Sequence, residues 1–294
     1  MVKNFIIAAA QMCSGMYPEQ NLKEITRLAR EASSKGVDYL LTPEMSVAFG
    51  ENFEQLAKVA QPYSNNDALE KCAIIARENK LFLHIGSLAV VAEETEQDTQ
   101  TPEKQTRFVN RSVLFDPKGQ IVDFYDKIHL FDADLSGDAP YRESKHYCGG
   151  KRAVISGVGP LKLGMSICYD LRFGALYRQL AQQGAQIISV PAAFTTSTGE
   201  AHWETLLRAR AIETGCYIIA SAQGGNHENG RTTYGYSMII DPWGKVVSQR
   251  KGDRGGLIVA SVDREKIGQA RLAVPALKNN AQFSLSINHD LSII

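Results

Sequence analysis

The chain has 294 residues, 44% of them hydrophobic and 22% charged, enough to bury the core of a large soluble domain. Lys plus Arg and Asp plus Glu both number 32, so no net field favours nucleic acid or an anionic membrane as a partner. The five cysteines (Cys13, Cys72, Cys148, Cys168 and Cys216) are odd in number and contain no Cys-x-x-Cys pair, which argues for free thiols in a reducing compartment and against a disulfide framework.

The opening "MVKNFIIAAAQM" carries one lysine and a brief apolar run. Phe5 to Ala10 is short for a secretion signal, and Gln11 ends it. No run reaches membrane-spanning length, so a cytoplasmic location is expected.

"FIIAAAQM" has the length of a strand. "PEQNLKEITRLAREASSKG" follows as a helix, with Pro18 in its first turn, one apolar stripe (Leu22, Ile25, Leu28, Ala29, Ala32) and Gly36 closing it. "VDYLLTP" is a strand stopped by Pro43. A second helix is expected over Asp67 to Asn79, then the strand "LFLHIGSLAV". Residues 93–107 read as a polar surface loop. "VLFDPKGQIVDF" and "MIIDPWGKVVSQ" are two hairpins built on the same Asp-Pro-x-Gly turn. Near-continuous apolar strands such as "QIISVP" and "CYIIASA" need cover on both faces. Two mixed sheets packed face to face, with helices outside, satisfy both observations. Residues 132–150 form a long irregular stretch of the kind that carries function. We expect one domain over 1–294, with an irregular tail from about 276.

Three polar groups stand just past the ends of apolar strands: Glu44 after "YLLTP", Lys127 after "IVDFYD" and Cys168 in "GMSICYD". Strand ends are where sites form in sheets with parallel strands. Together they suit acyl transfer. A thiolate is a strong nucleophile that needs a base or a cation beside it. Glu44 can take the thiol proton and hand one to a leaving amine. Lys127 and the Tyr169 N–H can stabilise the oxyanion. Glu143, in the long loop, is placed to orient Lys127. Each residue type alone is weak evidence, since a buried Cys is usually a small hydrophobe and a lone Glu or Lys a solvated charge. His146 and Cys148 are too few for a zinc site.

"LLTPEM", "YDKIHLFD", "RESKHYCGG", "GMSICYDLRF" and "FTTSTGEAHWETLLRARAIETGCYIIASAQGG" together resemble the nitrilase superfamily of carbon–nitrogen hydrolases, over nearly the whole chain. The resemblance implies an α/β fold, a four-layer α-β-β-α sandwich of two mixed sheets. It implies a Glu-Lys-Cys triad at Glu44, Lys127 and Cys168, with a further glutamate at Glu143. It implies no metal and no organic cofactor, and a homodimer formed by helix packing.

"KIHLFDADL", "CYDLRF" and "TTYGYSMIIDPWG" are similar to the deaminated glutathione amidase branch. That similarity implies hydrolysis of deaminated glutathione to 2-oxoglutarate and cysteinylglycine. ω-Amidases, which act on 2-oxo acid amides, typically show Ser-Pro-Ala-Arg where this chain reads Ser221-Ala222-Gln223-Gly224. Other small-amide or carbamoyl hydrolysis, a thiol-redox role and a non-catalytic binding role are the remaining alternatives. A substrate with carboxylates at both ends calls for a cation beyond Lys127. Arg172 is the first choice, against a role pairing with Asp170 to hold the turn. Phe194, Thr195 and Thr196 follow a strand and are expected at the same mouth, where a threonine hydroxyl meets substrate or caps the next helix.

Overall fold

A computed structural model describes residues 4–50, 52–93, 106–135 and 140–286. The expected loop over 93–107 lies almost wholly outside the described residues, as does the tail beyond 286.

The strands are β1 (Phe5–Gln11), β2 (Tyr39–Leu41), β3 (Phe82–Val91), β4 (Phe108–Phe115), β5 (Ile121–Asp126), β6 (Ile155–Val158), β7 (Leu161–Met165), β8 (Ile187–Ala192), β9 (Tyr217–Ala222), β10 (Met238–Ile240), β11 (Val246–Gln249) and β12 (Gly256–Val262). One sheet runs β12-β1-β2-β3-β4-β5, with the short strands Gln61–Pro62 and Tyr147–Cys148 added beside β3 and β4. The other runs β6-β7-β8-β9-β10-β11. Each has a parallel centre (β1-β2-β3 and β7-β8-β9) and antiparallel margins, so both are mixed.

Alternation along β1 and β2 sets the layers. Ile7, Ala9, Tyr39 and Leu41 point to the core shared with Leu163 and Met165 of the second sheet. Ala8, Ala10 and Leu40 point the other way, against helices α1 (Pro18–Ser34) and α3 (Asp67–Asn79). The expected stripe of α1 is the buried one, joined by Asn21. Helices α4 (Gly174–Gln182) and α5 (Thr196–Thr214) cover the second sheet; α5 buries Trp203, Leu207, Ala211 and Thr214 at helical spacing. The result is the expected α-β-β-α sandwich. Its last helix, α6 (Arg264–Ala273), buries only Ile267 and Ala270.

Both Asp-Pro-x-Gly turns form hairpins, β4-β5 and β10-β11. Each turn aspartate accepts two backbone N–H bonds: Asp116 from Lys118 and Gln120 (2.8 and 2.9 Å), Asp241 from Trp243 and Lys245 (3.0 Å each). Two elements differ from the sequence reading. Phe53–Val59 is a short helix, α2, capped by Asn52. The stretch 132–150 is partly regular: Asp132–Ala133 pairs with Tyr141–Arg142, and Glu143–Lys145 forms one 3-10 turn.

Candidate active site

Glu44 leaves β2 on a tight turn. Pro43 ends the strand, and the Thr42 hydroxyl meets Ser46 Oγ (2.7 Å) and accepts from the Gly86 N–H (2.9 Å). Met45 takes a left-handed φ of 53°, held by its N–H to Ser87 Oγ (2.9 Å). Gln223 Nε2 grips the Glu44 carbonyl at 3.0 Å. The turn therefore buries a carboxylate that an ordinary loop would hydrate. Lys127 follows β5, its backbone N–H still bonded to the Asn110 carbonyl (3.0 Å), and is 2% exposed.

Cys168 follows β7 and starts the 3-10 turn Cys168–Arg172 with φ +49°, a strained conformation for a non-glycine residue. Asp170 holds this turn. It accepts from the Ile167 N–H (2.9 Å), the Tyr125 hydroxyl (2.7 Å) and His129, by N–H (3.0 Å) and ring (2.7 Å). Arg210 Nε reaches the Leu171 carbonyl from α5 (3.0 Å). The first amides of such a turn have no partner inside it, which leaves the Tyr169 N–H as a donor.

The four groups meet. Lys127 Nζ lies 3.0 Å from Glu44 Oε1, 2.8 Å from Glu143 Oε2 and 3.1 Å from Glu143 Oε1. Asn110 Nδ2 donates to both carboxylates, at 3.0 Å to Glu44 and 3.1 Å to Glu143. Glu143 is aimed by the Phe131 N–H, at 2.6 Å. Cys168 lines the same pocket, close enough to feel the charges of Glu44 and Lys127.

Charge follows from this geometry. Burial alone raises the Glu44 carboxyl, but the Lys127 charge and the bonds from Cys168, Lys127 and Asn110 outweigh it and hold Glu44 below the usual carboxylate range. Burial pushes Lys127 down, yet Glu143 and Glu44 keep it well above the usual amine range. Burial and the Glu44 charge push the Cys168 thiol well up, against the pull of Lys127 and a bond from the Ala193 backbone. The resting site is a neutral thiol beside an ionised carboxylate, with the ammonium committed to two carboxylates. This differs from a simple cysteine–lysine pairing and leaves the Glu44 carboxylate ionised and able to accept a proton.

The cluster opens on a pocket of about 490 Å³. Tyr169, Arg172, Phe194 and Thr195 line it. Arg172 does not pair with Asp170, whose oxygens are already taken. Its guanidinium lies over the Tyr169 and Phe194 rings (5.7 and 5.5 Å) and touches His202 Nδ1 at 3.3 Å. Thr195 caps α5, accepting from the Thr198 N–H (3.3 Å). Thr196 is exposed and outside the pocket wall; Thr198, one turn on, lines it instead. Sequence reasoning missed Asn110, which stands beside Arg111 and Ser112 in β4, and Arg231, which lines the mouth.

The family model described as carbon–nitrogen hydrolase matches residues 6–272. The chain belongs to the carbon–nitrogen hydrolase family. It is 36% identical over 280 residues to the deaminated glutathione amidase of Yersinia enterocolitica, covering 95% of this chain and 94% of that protein. Among solved structures, this hydrolase superposes on the C. elegans NitFhit protein with TM-score 0.83 and 33% identity, covering 94% of this chain and 65% of that one. A mutant of the amidase from Nesterenkonia sp. AN1 matches with TM-score 0.73 and 25% identity, covering 92% of this chain and 94% of that one. That structure carries the acetamide moiety of fluoroacetamide covalently on its active-site cysteine.

Proposed function

We propose that this hydrolase is a cysteine amidase that cleaves deaminated glutathione to 2-oxoglutarate and cysteinylglycine. The observation that carries the reading is the buried cluster of Glu44, Lys127 and Glu143 in the pocket that Cys168 also lines. The names of the curated relatives point to the substrate.

Glu44 removes the thiol proton as sulfur attacks the amide carbonyl. The oxyanion is stabilised by Lys127 and the Tyr169 N–H. Glu44 then delivers the proton to the leaving nitrogen, the C–N bond breaks, and an acyl thioester remains on Cys168. Water, activated by Glu44, attacks the thioester and regenerates the thiol. Glu143 and Asn110 keep Lys127 charged and Glu44 aimed throughout. Arg172, on the cysteine's own turn, receives the carboxylate of the acyl half.

Among the described residues no helix is long and apolar enough to cross a membrane. Free cysteines support a cytoplasmic location. The exposed Ile212, Trp243, Leu272 and Val274 support a homodimer packed through the second helical layer.

The test is a side-by-side kcat/KM measurement on deaminated glutathione, 2-oxoglutaramate and a carbamoyl amino acid. Deaminated glutathione is expected to be preferred, with turnover lowered roughly 1,000-fold or more in Cys168→Ala and Glu44→Gln. Preference for 2-oxoglutaramate moves the enzyme to ω-amidase chemistry. Retained turnover in Cys168→Ala overturns the mechanism.

A further inference from the structure

Besides Lys127 and Arg172 the pocket is lined by Arg142, which pairs with Asp134, by Lys145 and by Arg231, and the chemistry at Cys168 does not use Arg231. Arg231 sits between the short strands Gly224–Asn226 and Thr232–Tyr234. It is half-buried, and its guanidinium lies 4.6 Å from the centre of the Phe49 ring and 5.7 Å from that of Tyr141. Among the described residues it pairs with no carboxylate. Asn229 fixes it from behind: its amide donates to the Phe49 and Gly50 carbonyls (2.9 and 3.1 Å), and its Oδ1 accepts from the Arg231 N–H (3.0 Å). A planar guanidinium seated on rings is pre-organised for a bidentate carboxylate.

A second observation points to the same ligand. Tyr147 lines this pocket, is 6% exposed, and its hydroxyl has no partner among the described residues. Buried hydroxyls are nearly always satisfied, so this one awaits a polar group from outside the chain. Tyr147 shares this pocket with Glu44 and Glu143 on one side and Arg231 on the other.

The side of the pocket decides which half of the substrate is held. Glu44 must protonate the departing nitrogen, so the leaving group exits on the Glu44 side. Phe49 follows Glu44 in the same segment, and Arg231 rests on Phe49. Arg172 belongs to the Cys168 turn and serves the acyl half.

We infer that Arg231, seated on Phe49 and Tyr141, binds the terminal carboxylate of a peptide leaving group, with the Tyr147 hydroxyl contacting its backbone, and so selects peptide amides over simple ones. The inference rests on the amidase reading above and adds a specificity determinant to it.

The experiment compares wild type, Arg231→Gln, Arg231→Lys and Tyr147→Phe on three substrates: deaminated glutathione, the same compound with its glycine carboxylate converted to an amide, and 2-oxoglutaramate. Arg231→Gln is expected to lower kcat/KM for deaminated glutathione relative to 2-oxoglutaramate roughly 10- to 100-fold, mainly through KM, with Arg231→Lys recovering part of it. The glycine-amide compound should be a poor substrate for wild type and no worse for Arg231→Gln. Tyr147→Phe should shift the same ratio in the same direction without lowering Tm. An unchanged ratio, or an equal loss on 2-oxoglutaramate, overturns the inference. Wild type inactive on deaminated glutathione overturns the functional reading instead. The subsite then stands or falls on whether cysteinylglycine inhibits 2-oxoglutaramate turnover more weakly in Arg231→Gln than in wild type.

Discussion

Replacing Glu143 by Gln probes whether Lys127 is held charged by its neighbours. The ammonium is 2% exposed, with Glu143 at 2.8 Å and Glu44 at 3.0 Å. At an effective dielectric of about 20, each contact is worth about 6 kcal/mol before desolvation. Burying the ammonium costs several kcal/mol. Two carboxylates outweigh that cost; one leaves the balance near even. Both Glu143 oxygens also receive donors: Oε1 from Lys127 and Asn110, Oε2 from Lys127 and Phe131. A glutamine must point its NH₂ at one of those donors, which orphans it at a cost of about 1–3 kcal/mol. The expected outcome is a kcat/KM lower by roughly 100- to 1,000-fold at neutral pH. The alkaline limb of the pH profile should also move down as Lys127 loses its proton more readily. The sign is fixed by charge. Wild-type Lys127 stays protonated well above the usual amine range, so it contributes no alkaline limb near neutrality. Removing a negative neighbour can only lower that point. The assay is kcat/KM against pH for wild type, Glu143→Gln and the charge-preserving Glu143→Asp. A glutamine variant within about threefold of wild type, with the same alkaline limb, would refute the argument that Glu143 sustains the charge of Lys127.

Two further perturbations test the scaffold beneath the site. His84 is fully buried between the Tyr39 hydroxyl and Ser112 Oγ, 2.6 Å from each, and burial lowers its pKa to about 3. The unfolded chain takes up this proton near pH 6.5 and the native state does not, so stability should fall by about 1.4 kcal/mol per pH unit below 6.5. Glu44, with a lowered pKa, adds its own loss only below its unfolded value of 4.5. Tm measured from pH 7 to 5 should therefore slope downward more steeply in wild type than in His84→Gln; equal slopes would reject the assignment. Gly86→Ala places a Cβ 2.0 Å from the Thr42 carbonyl oxygen and 2.4 Å from that of Pro43, on the turn that carries Glu44. Overpacking against backbone sits at the upper end of the usual range, about 3 kcal/mol, so unfolding should begin several degrees lower and kcat should fall as Glu44 shifts. A variant with wild-type Tm and kcat would show that the approach is not needed.

How much of this site could be read in advance depends on where each residue gets its meaning. Glu44, Lys127 and Cys168 each stand next to an apolar run that ends, so their placement at a strand end is a local fact. The α1 stripe and both Asp-Pro-x-Gly hairpins were legible for the same reason, because period and turn chemistry act within a few residues. The seven-residue α2 is too short for its period to register. Thr196 was misplaced by helix phase: once Thr195 becomes the cap, the next residue turns outward and Thr198 returns to the cap's side. Arg172 and Asp170 are two residues apart and look like a pair. Asp170 is instead saturated by Tyr125, 45 residues away, and by His129, 41 away. Asn110 and Arg231 were invisible because their roles are conferred by distant segments. Asn110 meets Glu44 across 66 residues and Glu143 across 33, and Arg231 meets Phe49 only because the second half of the chain folds back on the first. The thiol, carboxylate and ammonium are thus chain-local signals, while the groups that set their charge and line the pocket around them are properties of the assembled sandwich. Substitutions at Asn110 and Arg231 therefore probe contacts that exist only once distant segments have come together.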